Sequence, residues 1–244
     1  MPCHFKINRS LPAAFVTFGW CRSAYTVLRS LAHRGVEVHV GDNSRIAMSR
    51  FSRYAQSFTR LPNFYIEPEA YIEALSRAMT RHGAKVLLPC FEDVELVMRY
   101  RDRLPSGVRV ALPALNDWLQ AEDKLDYLAP VEAAGVPVPA TWKIHDNESL
   151  LNVAAKVSYP AIVKVRVGNG ARGVEIVHSA EALRQVVKRL VETFDLPPAR
   201  WPIVQRYLCG RKFKLDGVFC HGEPIGMCPF EILRCKGSGK FGTS

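Results

Sequence analysis

The sequence predicts an α/β protein: a parallel-sheet unit followed by a smaller α+β unit. Three observations carry that expectation. From Ala13 to about Pro113, short apolar runs alternate with amphipathic stretches, and strand and helix in steady alternation make a parallel sheet covered by helices. Beyond Asn116 the pattern changes to runs punctuated by Gly and Pro that read largely as antiparallel strands. Finally, 244 residues at 48% hydrophobic content supply enough apolar side chain for one large core or two modest ones.

The elements follow in order. Ala14 to Phe18 is an apolar run that reads as a buried first strand, and Ser23 to Arg34 is helical, with Tyr25, Leu28, Leu31 and Ala32 on one stripe. Gly35 stops that helix, and Val36 to Val40 is a second strand ending at Gly41-Asp42. Pro68 to His82 is a helix closed by Gly83, Lys85 to Leu88 a third strand, Glu92 to Leu104 a helix, and Val108 to Leu112 a fourth short strand. This is a Rossmann-like arrangement. Gly19 stands at its first strand-to-helix turn, but Gly19-Trp-Cys-Arg-Ser-Ala24 lacks the second and third glycines that let a backbone approach a pyrophosphate, so it reads as a plain tight turn. Asp42 fits a ribose contact and a surface turn equally well.

In the second region Trp118 to Ala134 reads as one helix, which Pro137 and Pro139 prevent from continuing. Ser149 to Lys156 is a short helix, Pro160 to Val165 a strand, Val174 to Val177 a strand and Ala180 to about Thr193 a helix. Pro197-Pro198 marks a linker. Pro202 to Leu208, Lys212 to Phe219 and Pro224 to Leu233 read as antiparallel strands joined by Gly-containing turns.

Composition narrows the function classes. A formal charge of +10 suits anionic partners without choosing among them. The basic residues are spread out, 16 Lys/Arg against 9 Asp/Glu in residues 1–115 and 17 against 14 in residues 116–244, so no dense basic stripe argues for nucleic acid. The seven cysteines, Cys3, Cys21, Cys90, Cys209, Cys220, Cys228 and Cys235, are scattered without a C-x-x-C pair. They read as free buried thiols of a reducing compartment, and Cys220, His221, Cys228 and Cys235 do not have zinc-ligand spacing. No apolar run reaches the length of a membrane span, and no small-x-small cleavage site follows Leu11 to Trp20, so the expectation is a cytoplasmic protein with no membrane partner.

The chemistry concentrates in Tyr159 to Val174. Lys164 sits inside an apolar strand, where an ammonium is costly unless something at the strand end compensates it. A loop containing Gly168, Asn169, Gly170 and Gly173 follows at once, flexible enough to aim backbone N–H groups at an anion, and Arg166 and Arg172 add positive charge beside it. A strand lysine with a glycine-rich hairpin is what holding a polyphosphate requires: a point charge on one side and amide donors on the other.

Four segments in order resemble the ATP-grasp superfamily, especially its carbamoyl-phosphate-synthase-like members. Glu122-Asp-Lys124 with Gly135-Val-Pro-Val-Pro-Ala-Thr141 resembles its D-K … G-(I/V)-P-x-P-x-T signature. Tyr159 to Val174 resembles its strand and phosphate loop. Ile203-Val-Gln-Arg-Tyr-Leu-Cys-Gly210 resembles the hinge that lines the adenine pocket, and Gly239-Lys-Phe-Gly-Thr-Ser244 resembles the G-G-T-S turn. The resemblance implies a Rossmann-like pre-ATP-grasp domain at 1–115, the ATP-grasp N-terminal subdomain at 116–198, and an incomplete C-terminal subdomain from 199 to 244. It implies ATP as cofactor. Lys124 and Lys164 would meet the α- and β-phosphates and the purine edge, and Gly168 to Gly173 would fold over the β- and γ-phosphates. Gln205, Arg206, Tyr207 and Leu208 would line the adenine, with Lys212 near the ribose.

Two departures accompany the resemblance. Arg206 stands where the family usually has Glu, and Lys212 where an acid often meets the ribose hydroxyls; an ammonium cannot accept those hydroxyl bonds. The family's late Glu-x-Asn strand, which carries magnesium ligands, has no counterpart in these residues. The resemblance therefore implies Mg²⁺ ligands beyond residue 244, no metal ligand within the chain, and a chain that is a fragment or truncated product, inactive alone. The parent would be an ATP-dependent ligase, activating a small-molecule carboxylate as an acyl phosphate for an amine or other nucleophile, and possible as a homodimer. The alternatives are a non-catalytic nucleotide-binding or regulatory module of the same fold, and a nucleic-acid binder.

Overall fold

The structure, a computed structural model, describes residues 7–168 and 170–234. Asn169, Cys3, Cys235 and the Gly239 to Ser244 segment singled out above lie outside the described residues. The chain divides into two compact units, Met1–Trp118 and Leu119–Ser244.

The first unit runs β1 (Ala14–Val16), α1 (Arg22–His33), β2 (Val38–Asp42), β3 (Ser57–Arg60), α2 (Pro68–Arg81), β4 (Val86–Leu88), α3 (Asp93–Arg99) and β5 (Arg109–Val110). Its five strands form a parallel sheet in the order β3-β2-β1-β4-β5. The central strand is buried along its whole length, which is why it is apolar without alternation. Phe15 points into a cluster with Tyr71, Ile72, Leu75 and Met79, while Val16 joins Ala24, Leu28, Val38 and Val40. The period-2 alternation of β1 thus feeds two separate cores. β3 was not expected from the sequence; Ser-Phe-Thr-Arg has little apolar signal, and its register on β2, His39 with Ser57 through Asp42 with Arg60, defines it. The predicted helix from Glu92 is shorter than expected, ending at Arg99 before a 3₁₀ turn at Arg101–Arg103.

The second unit comprises α4 (Leu115–Glu122), which begins just ahead of it, α5 (Leu128–Ala133), β6 (Thr141–Lys143), α6 (Asn147–Lys156), β7 (Ala161–Lys164), β8 (Val174–Val177), α7 (Ala180–Phe194), β9 (Ile203–Arg206), β10 (Phe213–Cys220) and β11 (Glu223–Glu231). Four strands make an antiparallel sheet in the order β6-β9-β7-β8, and β10 with β11 form a separate hairpin. Asp146 and Ser149 close a capping box on α6, and the Ser179 hydroxyl caps α7. Leu150, Val153, Leu183, Val187 and Leu190 of these helices pack on Val163, Val177 and Val204, covering one face of the sheet.

Three expectations change. The helix read over Trp118 to Ala134 is two helices, interrupted at 123–127. Asp42 is 2% exposed and lies neither at the surface nor open to a ribose, because its two carboxylate oxygens accept the Trp20 and Ser44 N–H groups. Among the described residues the cysteines are unpaired, but Cys209, Cys220 and Cys228 are exposed, since they lie on or beside a hairpin whose strands carry little cover.

Candidate functional site

Because Val163 and Val204 face the helices, their chain neighbours Lys164 and Gln205 lie on the opposite face of the sheet. Lys164 pairs in register with Ile203, and Ile162 with Gln205, so Lys164, Ile162, Ile203 and Gln205 share that opposite face. Between β7 and β8 the chain makes the glycine-rich loop. Gly168, Gly170 and Gly173 all have left-handed φ values, of 132°, 62° and 69°, and the Val165 N–H donates to the Gly173 carbonyl at 2.9 Å to close the loop at its base.

Lys124 meets this loop from the break between α4 and α5. Its Nζ donates to the Gly168 carbonyl at 2.7 Å and to the Arg166 carbonyl at 3.4 Å, and its backbone N–H donates to the same Arg166 carbonyl at 2.8 Å. Burial pulls the Lys124 ammonium below its ordinary pKa, with Glu122 and Asp123 acting the other way. Lys164 is also lowered, first by burial and then by the positive charge of Lys124. Among the described residues Lys164 Nζ has no hydrogen-bonding or ion-pair partner. Two partly desolvated ammonium groups therefore lie close enough to act on each other, an arrangement that an anion would relieve.

The expected third contributor is engaged elsewhere. Arg166 does not add charge to the loop, because its guanidinium binds Asp123 and Asp126 and its Nη1 donates to the Ala199 carbonyl at 2.8 Å. Asp123, 1% exposed, also accepts from Arg200 Nη1 at 2.7 Å and from the Leu125 N–H. Burial alone would raise the Asp123 pKa, but the Arg166 hydrogen bond and the amide of Leu125 outweigh it and hold the carboxyl below its usual range. Sequence reasoning missed Asp123 and Arg200. The visible signal was the acid directly before Lys124, since a carboxylate so placed has to be paired once buried.

On the hinge strand, Gln205 is 2% exposed and its Nε2 donates to Thr141 Oγ1 at 2.8 Å; Thr141 in turn donates to the Pro139 carbonyl. The Arg206 N–H donates to the Ala140 carbonyl, and its side chain is exposed. Past the strand, Tyr207 is partly covered and Leu208 exposed, and the Leu208 N–H has no hydrogen-bond partner among the described residues. Lys212 accepts the Ile232 N–H through its carbonyl. Of the basic run that includes it, Arg211 pairs bidentately with Glu231, and Lys214 with Asp216.

A parallel-sheet unit followed by an antiparallel sheet with a lysine-flanked glycine loop is the architecture of the ATP-grasp superfamily, and the chain has that fold. Residues 123–198 match the family model described as carbamoyl-phosphate synthase L chain, ATP binding domain. Among solved structures the chain is similar to N5-carboxyaminoimidazole synthetase from Staphylococcus aureus complexed with ADP, at 17% identity and TM-score 0.67, covering 93% of this chain and 56% of that one. It is similar to L-amino acid ligase from Bacillus licheniformis at 14% identity and TM-score 0.64, covering 91% and 49%. It is also similar to the biotin carboxylase domain of Hydrogenobacter thermophilus 2-oxoglutarate carboxylase, solved with MgADP, ADP and bicarbonate, at 18% identity and TM-score 0.64, covering 83% and 45%. The chain spans about half the length of these structures.

Proposed function

We propose that the second unit holds an adenine nucleotide and that the chain is the ATP-binding part of an ATP-grasp ligase. The observation that carries this reading is the approach of Lys124 and Lys164, both partly desolvated, beside a loop whose three glycines have left-handed backbone. Lys124 and Lys164 take the phosphates, and the loop of Gly168, Asn169, Gly170 and Gly173 folds over them. Gln205, Arg206, Tyr207 and Leu208 edge the adenine. The open N–H of Leu208 is the donor that an adenine ring nitrogen accepts from, a role any side chain permits. Lys212 lies further along and meets the ribose side. Lys124 Nζ spends two of its three N–H donors on the Gly168 and Arg166 carbonyls, and the third is the one a phosphate oxygen accepts.

The fit does not extend to magnesium within the described residues. No group of three or more His, Cys, Asp or Glu side chains among them is placed to hold a metal, and Glu231 is taken by Arg211. For the whole protein, the reading is a ligase in which a substrate carboxylate oxygen attacks the γ-phosphorus, ADP leaves, and an amine or other nucleophile displaces phosphate from the acyl phosphate. The three ligase- and carboxylase-type neighbours support this assignment, as does the family match over 123–198. The domain limits 1–115, 116–198 and 199–244, a homodimeric assembly and a cytoplasmic site of action belong to the same proposal. No helix among the described residues is long and apolar enough to cross a membrane.

Calorimetric titration of the chain with ATP and ADP tests the core of this reading. Both are expected to bind, and Lys164→Ala to weaken each by about tenfold or more, the worth of one charge-assisted phosphate contact. Absence of heat and of any thermal shift at millimolar nucleotide would remove it.

A further inference from the structure

We propose that Asp123 is a positioning residue for this site: by clasping Arg166 and Arg200 it fixes Lys124 and the glycine-rich loop relative to each other. The inference rests on the nucleotide reading above and deepens it. Three segments distant in sequence converge on one carboxylate. Its Oδ1 accepts from Arg166 Nε and from the Leu125 N–H, both at 2.9 Å, and its Oδ2 accepts from Arg166 Nη2 at 2.9 Å and Arg200 Nη1 at 2.7 Å. Arg166 extends the clasp to Asp126 Oδ1 at 2.8 Å and to the Ala199 carbonyl at 2.8 Å. The residue it belongs to lies two positions before Gly168, and its carbonyl accepts both the backbone N–H and the ammonium of Lys124.

The charges explain why this is positioning rather than attraction. Arg166 and Arg200 are balanced by Asp123 and Asp126, so the clasp lends the phosphate site no net charge. A buried ion pair is a poor source of stability, because desolvation offsets most of the Coulomb gain. What it supplies is geometry. With Asp123 at 1% exposure and held by these four donors, Lys124 can occupy few positions relative to the loop.

The test uses the full chain with Arg200→Met, whose side chain is 52% exposed and removable without opening the core, alongside Asp123→Asn and the conservative Arg200→Lys. Two readouts are taken: hydrogen exchange of the amides of residues 166–173 without nucleotide, and affinities for ATP and for adenosine. Both disruptive variants are expected to exchange these amides faster. They are also expected to lose about tenfold or more in ATP affinity, as a misplaced phosphate contact does, while adenosine affinity stays unchanged and Arg200→Lys recovers most of the ATP loss. Unaltered loop exchange would overturn the proposal. So would ATP and adenosine affinities falling together with the melting temperature, the signature of a purely structural pair. If the unmodified chain binds no ATP, the nucleotide reading fails by itself, and the exchange measurement still decides whether the clasp holds the loop. Should Asp123→Asn not fold, Arg200→Met carries the test.

Discussion

Lys164 was legible in the sequence because an ammonium inside an apolar strand requires a reason, whereas Lys124 was legible only through the resemblance of Glu122-Asp-Lys124 to a family signature. Their mutual effect was not legible, since it depends on how far apart the fold leaves them. Lys164 is lowered by burial first and by Lys124 second. Removing the second cause in Lys124→Met is therefore expected to move the Lys164 titration upward, toward the ordinary lysine value of 10.5. In the unmodified chain the same shift has a consequence for binding. An ammonium whose pKa is depressed loses its charge earlier as pH rises, so phosphate affinity is expected to fall with rising pH below 10.5, sooner than for an ordinary lysine. NMR titration of selectively labelled lysines reads the first effect; a Lys164 curve identical in both proteins would mean that the two charges do not interact. Gln205 illustrates the opposite case. Its type was read as an adenine-edge residue, and the fold shows its amide already donating to Thr141, a pairing that only the register of β6 on β9 creates.

At the scale of elements, local pattern succeeded where burial is uniform and failed where a distant residue intervenes. β1 and β4 are apolar throughout because helices cover both faces of a parallel sheet. The single helix expected over 118–134 breaks because the Lys124 N–H is drawn to the Arg166 carbonyl and Asp123 to two arginines, partners that no helical periodicity reveals. The glycine-rich loop looked like one set of interchangeable anion-facing glycines, yet its members differ. A Cβ on Gly173 would lie 2.7 Å from Val165 Cγ2 and 3.3 Å from Phe194 Cε2, whereas one on Gly170 would meet nothing within 4 Å. Gly170→Ala is expected to cost about 1 kcal/mol, the left-handed backbone penalty alone. Gly173→Ala adds a clash with Val165, itself 4% exposed, and is expected to cost about 2–4 kcal/mol in total. Urea denaturation of the two variants checks the ranking; equal costs would mean that the base of the loop yields more easily than its packing implies.

For the molecule as a whole, the two units are expected to answer acid differently. In the first unit His39 and His82 stack with ring centroids 4.3 Å apart, and Ser57 Oγ bridges them at 2.8 Å from His39 Nδ1 and 3.2 Å from His82 Nε2. Burial lowers both below the model-peptide value of 6.5; His82 further depresses His39, and Arg81 further depresses His82, with Glu37 opposing in both cases. The unfolded chain thus takes up protons at pH values where the folded unit resists them, so stability is full above 6.5 and is lost as pH falls from there through the folded values. Asp93 works in the other sense. Burial raises its pKa above 3.8 despite hydrogen bonds from Thr17 and Tyr71, so its cost declines as pH falls. In the second unit Asp123 is held below 3.8, and the stability it contributes is lost only on acidification beyond that point. The first unit is therefore expected to weaken as pH falls below 6.5, and the Asp123 clasp only as pH falls below 3.8. Denaturation at pH 7.5 and 5.5, compared between the unmodified chain and His82→Gln, isolates the histidines from Asp93. The substitution leaves one imidazole without its stacked partner's charge, so its first transition is expected to depend less on pH. An identical dependence in both proteins would place the acid sensitivity of the first unit outside this pair.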